Sequence, residues 1–162
     1  MTEYNTSLEA APEIRVLLID DSKSARRACS TQLSAAGFTV FTSTDGFTAL
    51  SDCIEHRPHI IVADIIMPRL DGYQLCALIK HSPDYHSTPV VLVSSRDGLF
   101  DRARGRLVGA DAHLAKPVSD EELIQTLKQC LQQEVAEPSI AREEASVAET
   151  LNADETWAIA PV

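Results

Sequence analysis

Five polar residues, each closing an apolar run, carry the chemistry open to this chain. Asp20 and Asp21 close IRVLLIDD, Asp64 closes HIIVAD and Ser94 closes PVVLVS. Lys116 closes AHLAK and is followed at once by Pro117. Apolar runs of this length bounded by polar residues read as strands buried on both faces, as in a parallel sheet. Ligands of an open parallel sheet bind at the carboxyl ends of its strands. The pattern therefore brings carboxylates, one hydroxyl and one ammonium to one edge of the sheet. That set suits a divalent metal, a transferable phosphoryl group and an acceptor carboxylate.

Each residue type has a chemical reason. Magnesium takes hard oxygen ligands and keeps several waters, so two or three carboxylates hold it. An aspartate can attack phosphorus and become an acyl phosphate. The group in flight carries negative charge on its equatorial oxygens, which a metal and a lysine neutralise. A serine hydroxyl donates a hydrogen bond to one of those oxygens. Asp64 is the candidate nucleophile, because it stands alone at its strand end whereas Asp20 and Asp21 form an adjacent acid pair.

These residues need elements to position them, and the chain alternates strand and helix five times. Strand one is predicted over 14–19. Helix one follows over about 22–36, with Ala25, Cys29, Leu33 and Ala36 on one face, and Gly37 ends it. Strand two is FTVFTS. Helix two starts after Asp45-Gly46 and aligns Phe47, Leu50 and Ile54. After strand three, helix three begins near Asp71 and aligns Leu75, Leu78 and Ile79, with Pro83 beyond its end. Helix four, about 98–108, has only the thin stripe Leu99, Ala103 and Leu107. Gly105 inside it costs roughly 1 kcal/mol against alanine, and Arg102 and Arg106 repel one turn apart. Strand five is the short AHLA. Helix five opens on the capping box Ser119-Asp120-Glu121-Glu122 and aligns Leu123, Leu127 and Leu131. Such alternation implies an α/β fold, a doubly wound parallel sheet with helices on both faces.

The ordered pattern DD, then D with MP soon after, then S, then KP resembles the receiver domain of two-component response regulators. It covers roughly residues 14 to 131. IIMPRLDGYQLCALIK and SSRDGLFDRARGRLVGAD are similar, more narrowly, to the PilG-type stand-alone receivers of type IV pilus twitching-motility systems. The resemblance implies a five-stranded flavodoxin-like sheet of order 2-1-3-4-5. It implies a phosphoprotein whose acceptor is Asp64. Asp20, Asp21, Asp64 and the backbone carbonyl of Ile66 would hold Mg2+. Ser94 and Lys116 would bind the phosphoryl oxygens, with Asp64 and Lys116 as the catalytic pair. The expected partners are a chemotaxis-like histidine kinase and a downstream protein target, a pilus motor or its regulator. The surface around helix four, strand five and helix five is the expected output face. Lys116-Pro117 is a candidate cis peptide.

Two positions depart from the family pattern. Receivers usually carry Tyr or Phe where this chain has His113, the switch position; a histidine is smaller and titrates near neutrality. Many receivers have a polar residue where this chain has Ile66, whose apolar side chain should exclude the attacking water.

Composition bounds the alternatives. A chain of 162 residues is long enough for one domain with its own core. The formal charge is −10, but Glu3, Glu9 and Glu13 precede residue 14, and seven acids against Arg142 follow residue 131. Only about −1 remains for the domain between, which argues against a nucleic-acid footprint. Residues 1–13 read as a flexible acidic segment and 132–162 as a mostly disordered acidic tail. A short helix near 139–151 is conceivable there, with Trp157 as the one residue suited to anchor a docking peptide. Too few residues remain for an enzymatic or DNA-binding output domain. No run approaches the roughly 20 apolar residues of a membrane span, and no signal peptide opens the chain, so a soluble, cytoplasmic protein with no membrane insertion is expected. Cys29, Cys53, Cys76 and Cys130 each fall within a predicted helix without a CxxC, and read as reduced core residues. His56, His59, His81 and His86 show no metal-ligand spacing among themselves and read as surface or strand-edge residues.

The function expected is a stand-alone response regulator, a signalling protein and not an enzyme, in control of twitching motility. The alternatives are a flagellar or chemotaxis-cluster receiver and an adaptor independent of phosphorylation. A phosphatase of the haloacid-dehalogenase type also uses an aspartate nucleophile and magnesium, but wants Asp-x-Asp, and Ile66 stands in the second acid's place.

Overall fold

Five parallel strands alternate with five helices in the computed structural model, which describes residues 11–95 and 99–136. The order is β1 (Arg15–Ile19), α1 (Lys23–Ala35), β2 (Thr39–Ser43), α2 (Gly46–His56), β3 (Ile60–Asp64), α3 (Gly72–His81), β4 (Val90–Ser94), α4 (Leu99–Leu107), β5 (Ala112–Ala115) and α5 (Asp120–Ala136). The sheet order is β2-β1-β3-β4-β5, every pairing parallel. This is the doubly wound, flavodoxin-like arrangement expected from the sequence. The described residues up to Leu131 belong to one compact unit; of the second unit, from Gln132, only the last turn of α5 is described. Residues 1–10, the possible helix at 139–151 and Trp157 lie outside the described residues.

The inner strands β1, β3 and β4 are almost wholly apolar because helices cover both faces, whereas the edge strands β2 (TVFTS) and β5 (AHLA) carry polar residues. Alternate residues feed two cores. Leu17, Ile19, Ile61, Ala63 and Leu92 pack with Ala49, Cys53, Leu75, Cys76 and Ile79 of α2 and α3. Val16, Leu18, Ile60, Val62, Val91, Val93 and Leu114 pack with Leu33, Leu123, Leu127 and Cys130 of α1 and α5. Period-two alternation thus assigns each strand residue to one layer or the other. The four cysteines are free; Cys29 is half-buried and the other three are buried.

Local signals start and stop the helices. Ser22 Oγ caps α1 by accepting from the N–H of Ala25 at 3.4 Å. Asp45 caps α2 through the N–H of Thr48 at 2.9 Å. Asp71 and Gln74 form a reciprocal capping box on α3, at 2.8 and 3.0 Å, which the sequence reading passed over. On α5, Ser119 Oγ accepts from the N–H of Glu122 at 3.2 Å. Gly37, with φ of +97°, follows α1 in the left-handed conformation that glycine adopts without strain.

Three helix faces differ from expectation. On α2 two of the three stripe residues are turned outward: Phe47 is 53% and Ile54 68% exposed, Leu50 packs part-buried against the core, and small Ala49 and Cys53 face the sheet. At its first residue α2 also packs closely on the loop after β3, where a Cβ on Gly46 would lie 2.7 Å from Leu70 Cδ2. On α3, Cys76 takes the inward place expected of Leu78, which is exposed. On α4, whose side chains are described from Arg102 onward so that Leu99 falls outside, Ala103 is exposed and Leu107 is 87% exposed, while Gly105 is buried. The helix rests on the sheet through its glycine, with Val108 and Ala110 packed beside it.

Candidate functional site

Strand register assembles the site. Ile19 pairs with Ala63, so Asp20, just past β1, stands beside Asp64, the last residue of β3. Ser94 ends β4 and pairs with Ala115, and the N–H of Lys116 donates to the Ser94 carbonyl at 2.7 Å. Lys116 therefore starts two strands away from Asp64. Its long side chain spans the end of β4 and places Nζ 3.2 Å from Asp64 Oδ2 and 3.3 Å from Asp20 Oδ2. One oxygen each from Asp20, Asp21 and Asp64 lies within 4.8 Å of the others. Asp20 is buried and Asp21 exposed, so the cluster opens to solvent on one side. Ser94 is buried at the adjoining strand end.

The second oxygens are held by backbone. Asp20 Oδ1 accepts from the N–H of Ser22 at 2.8 Å, and Asp64 Oδ1 from the N–H of Ile66 at 3.3 Å. The Ile66 side chain is 55% exposed. The Lys116-Pro117 peptide is cis.

The electrostatics reveal a site short of positive charge. Burial pushes the Asp64 carboxyl above the ordinary aspartate range; the Lys116 ammonium pulls it down and Asp20 pushes it further up, with a net rise. For Lys116 burial disfavours the charge, but attraction to Asp64 and Asp20 outweighs it and the pKa is raised. One ammonium among three carboxylates leaves an excess of negative charge that a divalent cation would match. The donor set, all carboxylate oxygen and partly open to water, fits a hard ion such as magnesium.

Sequence reasoning missed Gly72. A Cβ there would sit 2.6 Å from the Asp64 carbonyl and 2.8 Å from Ile65 Cα, so α3 packs its first residue against the backbone bearing the acceptor candidate. The signal available was the Asp71-Gly72 step that opens α3. His113 is not gathered with the carboxylates. It pairs in register with Leu92 and lines a cavity of about 380 Å³ with Arg102, Gly105 and Arg106 of α4. The other histidines have local roles. His59 Nδ1 accepts from the N–H of Arg15 at 2.9 Å at the strand edge. His56 stacks on Phe41 with centroids 3.9 Å apart, and with Asp52 and Glu55 forms a second set of potential ligand atoms on one turn of α2.

Comparison with known proteins agrees with this geometry. The response regulator receiver domain family matches residues 16–128. The chain is 53% identical over 115 residues to Protein PilG of Pseudomonas aeruginosa, covering 71% of this chain and 85% of PilG. It is 35% identical over 118 residues to the response regulator MprA of Mycobacterium ulcerans, 73% of this chain but only 50% of MprA. Among solved structures, the chemotaxis protein CheY4 of Vibrio cholerae superposes with a TM-score of 0.71 at 31% identity, over 74% of this chain and 99% of CheY4. No described helix is long and apolar enough to cross a membrane. With the sheet order, the acidic edge and these likenesses in agreement, the chain belongs to the response regulator receiver domain family.

Proposed function

We propose that this chain is a phosphorylation-dependent response regulator: a chemotaxis-like histidine kinase donates a phosphoryl group to Asp64, and the altered surface then acts on a protein target in control of type IV pilus twitching motility. The observation that carries the reading is the Lys116 ammonium poised between Asp20 and Asp64 within a cluster of three carboxylates. Likeness to PilG supports the pilus setting. Likeness to CheY4 favours, as the second reading, a chemotaxis-cluster receiver. Residues 14–131 act as the receiver, in the cytoplasm, and 132–162 as an acidic appendage.

Asp20, Asp21 and Asp64, with the Ile66 carbonyl, would hold magnesium, which when bound neutralises charge on the phosphoryl oxygens. The Asp64 carboxylate attacks phosphorus as the phosphorus–nitrogen bond to the donor imidazole breaks. The bonding pair stays on that nitrogen, which takes up a proton. Lys116 holds one phosphoryl oxygen through its ammonium, and the Ser94 hydroxyl donates to another. Ser94 moving toward that oxygen would alter the ground beneath α4 and His113, the proposed switch residue.

Incubation with acetyl phosphate and magnesium, followed by intact mass, tests the assignment. One base-labile phosphoryl group is expected on the wild type and none on Asp64→Asn. Unchanged labelling of the variant would refute Asp64 as the acceptor.

A further inference from the structure

We propose that Arg26, on the first turns of α1, is a positioning residue that orients the Asp20–Asp21 peptide so that both carboxylates converge on the cation site. This rests on the reading above that Asp20, Asp21 and Asp64 hold a divalent metal. Arg26 Nη1 donates to the main-chain carbonyl of Asp20 at 2.7 Å, a short, charge-assisted bond. Asp20 lies one residue beyond the last residue of β1, so the regular ladder does not supply that carbonyl's donor. The rest of Asp20 is tied down as well. Its N–H donates to the Ser43 carbonyl at 3.3 Å, and its Oδ1 accepts from the N–H of Ser22 at 2.8 Å.

The carbonyl that Arg26 grips belongs to the peptide joining Asp20 to Asp21. Fixing that plane fixes the Cα of Asp21, which stands exposed in the loop between β1 and α1. Arg26 is itself anchored, since its N–H donates to the Ser22 carbonyl at 2.9 Å and so places it one turn inside the capped helix. Without the guanidinium the peptide can rotate and carry the Asp21 carboxylate away from Asp20 and Asp64. Arg26 would thus serve the metal without touching it, as outer partners of metal ligands do.

The sign of the effect separates this role from simple electrostatics. Arg26 is a cation beside a cation site. By Coulomb's law alone its removal should tighten magnesium binding; by positioning its removal should weaken it. Arg27, the exposed neighbour on the same helix turn, supplies the control for lost charge.

The experiment is calorimetric titration of the full-length protein with magnesium, beside metal-free thermal unfolding, for wild type, Arg26→Ala, Arg26→Lys and Arg27→Ala. Arg26→Ala should bind magnesium about tenfold more weakly. Arg27→Ala should bind as tightly as wild type or tighter. Arg26→Lys should recover part of the loss, and metal-free Arg26→Ala should stay folded, melting only a little below Arg27→Ala for the lost bond to the Asp20 carbonyl. Magnesium binding by Arg26→Ala at wild-type strength or better would overturn the proposal alone. So would a loss matched in Arg27→Ala, or one that follows a fall in metal-free stability shared by Arg26→Lys. A wild type that takes up no magnesium would overturn the metal reading of the carboxylates, and this assignment with it.

Discussion

Asp64 sits in an electrostatic conflict. Its carboxyl is raised above the ordinary aspartate range by burial, against the pull of Lys116. The folded protein therefore holds the proton more strongly than the unfolded chain does. Stability falls as pH rises from the ordinary aspartate range through the raised folded value, and neutral pH lies on the unfavourable side. Metal-free Asp64→Asn should accordingly melt at a higher temperature than the wild type near pH 7, with the gap closing as pH falls through the carboxylate range. Saturating magnesium should reverse the order, because a ligand that binds only the folded wild type stabilises it by mass action. Calorimetric melts across pH, with and without magnesium, check both statements; a metal-free wild type that melts as high as the variant at pH 7 contradicts the first. Ile66 makes a second case at this scale. Its N–H is bonded to Asp64, and its exposed apolar side chain offers no hydrogen bond to place a hydrolytic water. Ile66→Asn should shorten the lifetime of the phosphorylated protein, read as loss of label after the donor is removed. An unchanged or longer lifetime would mean that Ile66 does not gate the water.

At the scale of elements, the strands were legible and three helix faces were not, for one physical reason. A strand covered on both faces is apolar along most of its length, so its end shows as the first polar residue, as at Asp20 and Asp64. A helix face is harder, because the bulkiest stripe is the inner one only where the sheet leaves room. On α2 small Ala49 and Cys53 allow close approach, and Phe47 is left outside beneath the guanidinium of Arg69, 5.6 Å from the ring centroid. On α4 the inner position is Gly105. Two glycines, Gly72 at the start of α3 and Gly105 in α4, lead to opposite predictions for one substitution. Gly72→Ala puts a methyl against the Asp64 carbonyl, so backbone must move; a loss of about 1–3 kcal/mol is expected in urea unfolding, with slower labelling of Asp64. Gly105→Ala instead places its methyl 3.8 Å from Leu92 Cδ1 and 3.9 Å from Ala110 Cβ, an ordinary contact. It should stabilise the protein by about 0.5–1 kcal/mol through helix propensity. Destabilisation by Gly105→Ala, or none by Gly72→Ala, would show that these packings are misjudged.

Across the whole molecule, βα alternation and right-handed crossovers restrict the topology, but the order β2-β1-β3-β4-β5 was legible through family likeness and not through composition. Gly72 and Arg26 act through packing and a backbone bond, which no side-chain motif announces. The edge strand β5 carries a further consequence. It has four residues and a neighbour on one side only, yet Lys116 follows it directly. Lys116 also meets Asp20 across 96 positions of chain. Opening of a short edge strand is a local event, less demanding than global unfolding. The competence of the site is then set by the fraying of its weakest margin. On warming, the protein should stop accepting phosphoryl groups while β1 and β3 are still protected from hydrogen exchange. Amides of β5 that exchange only with those of the central strands would refute this. A signalling protein built this way falls silent before it falls apart, and recovers on cooling without having to refold.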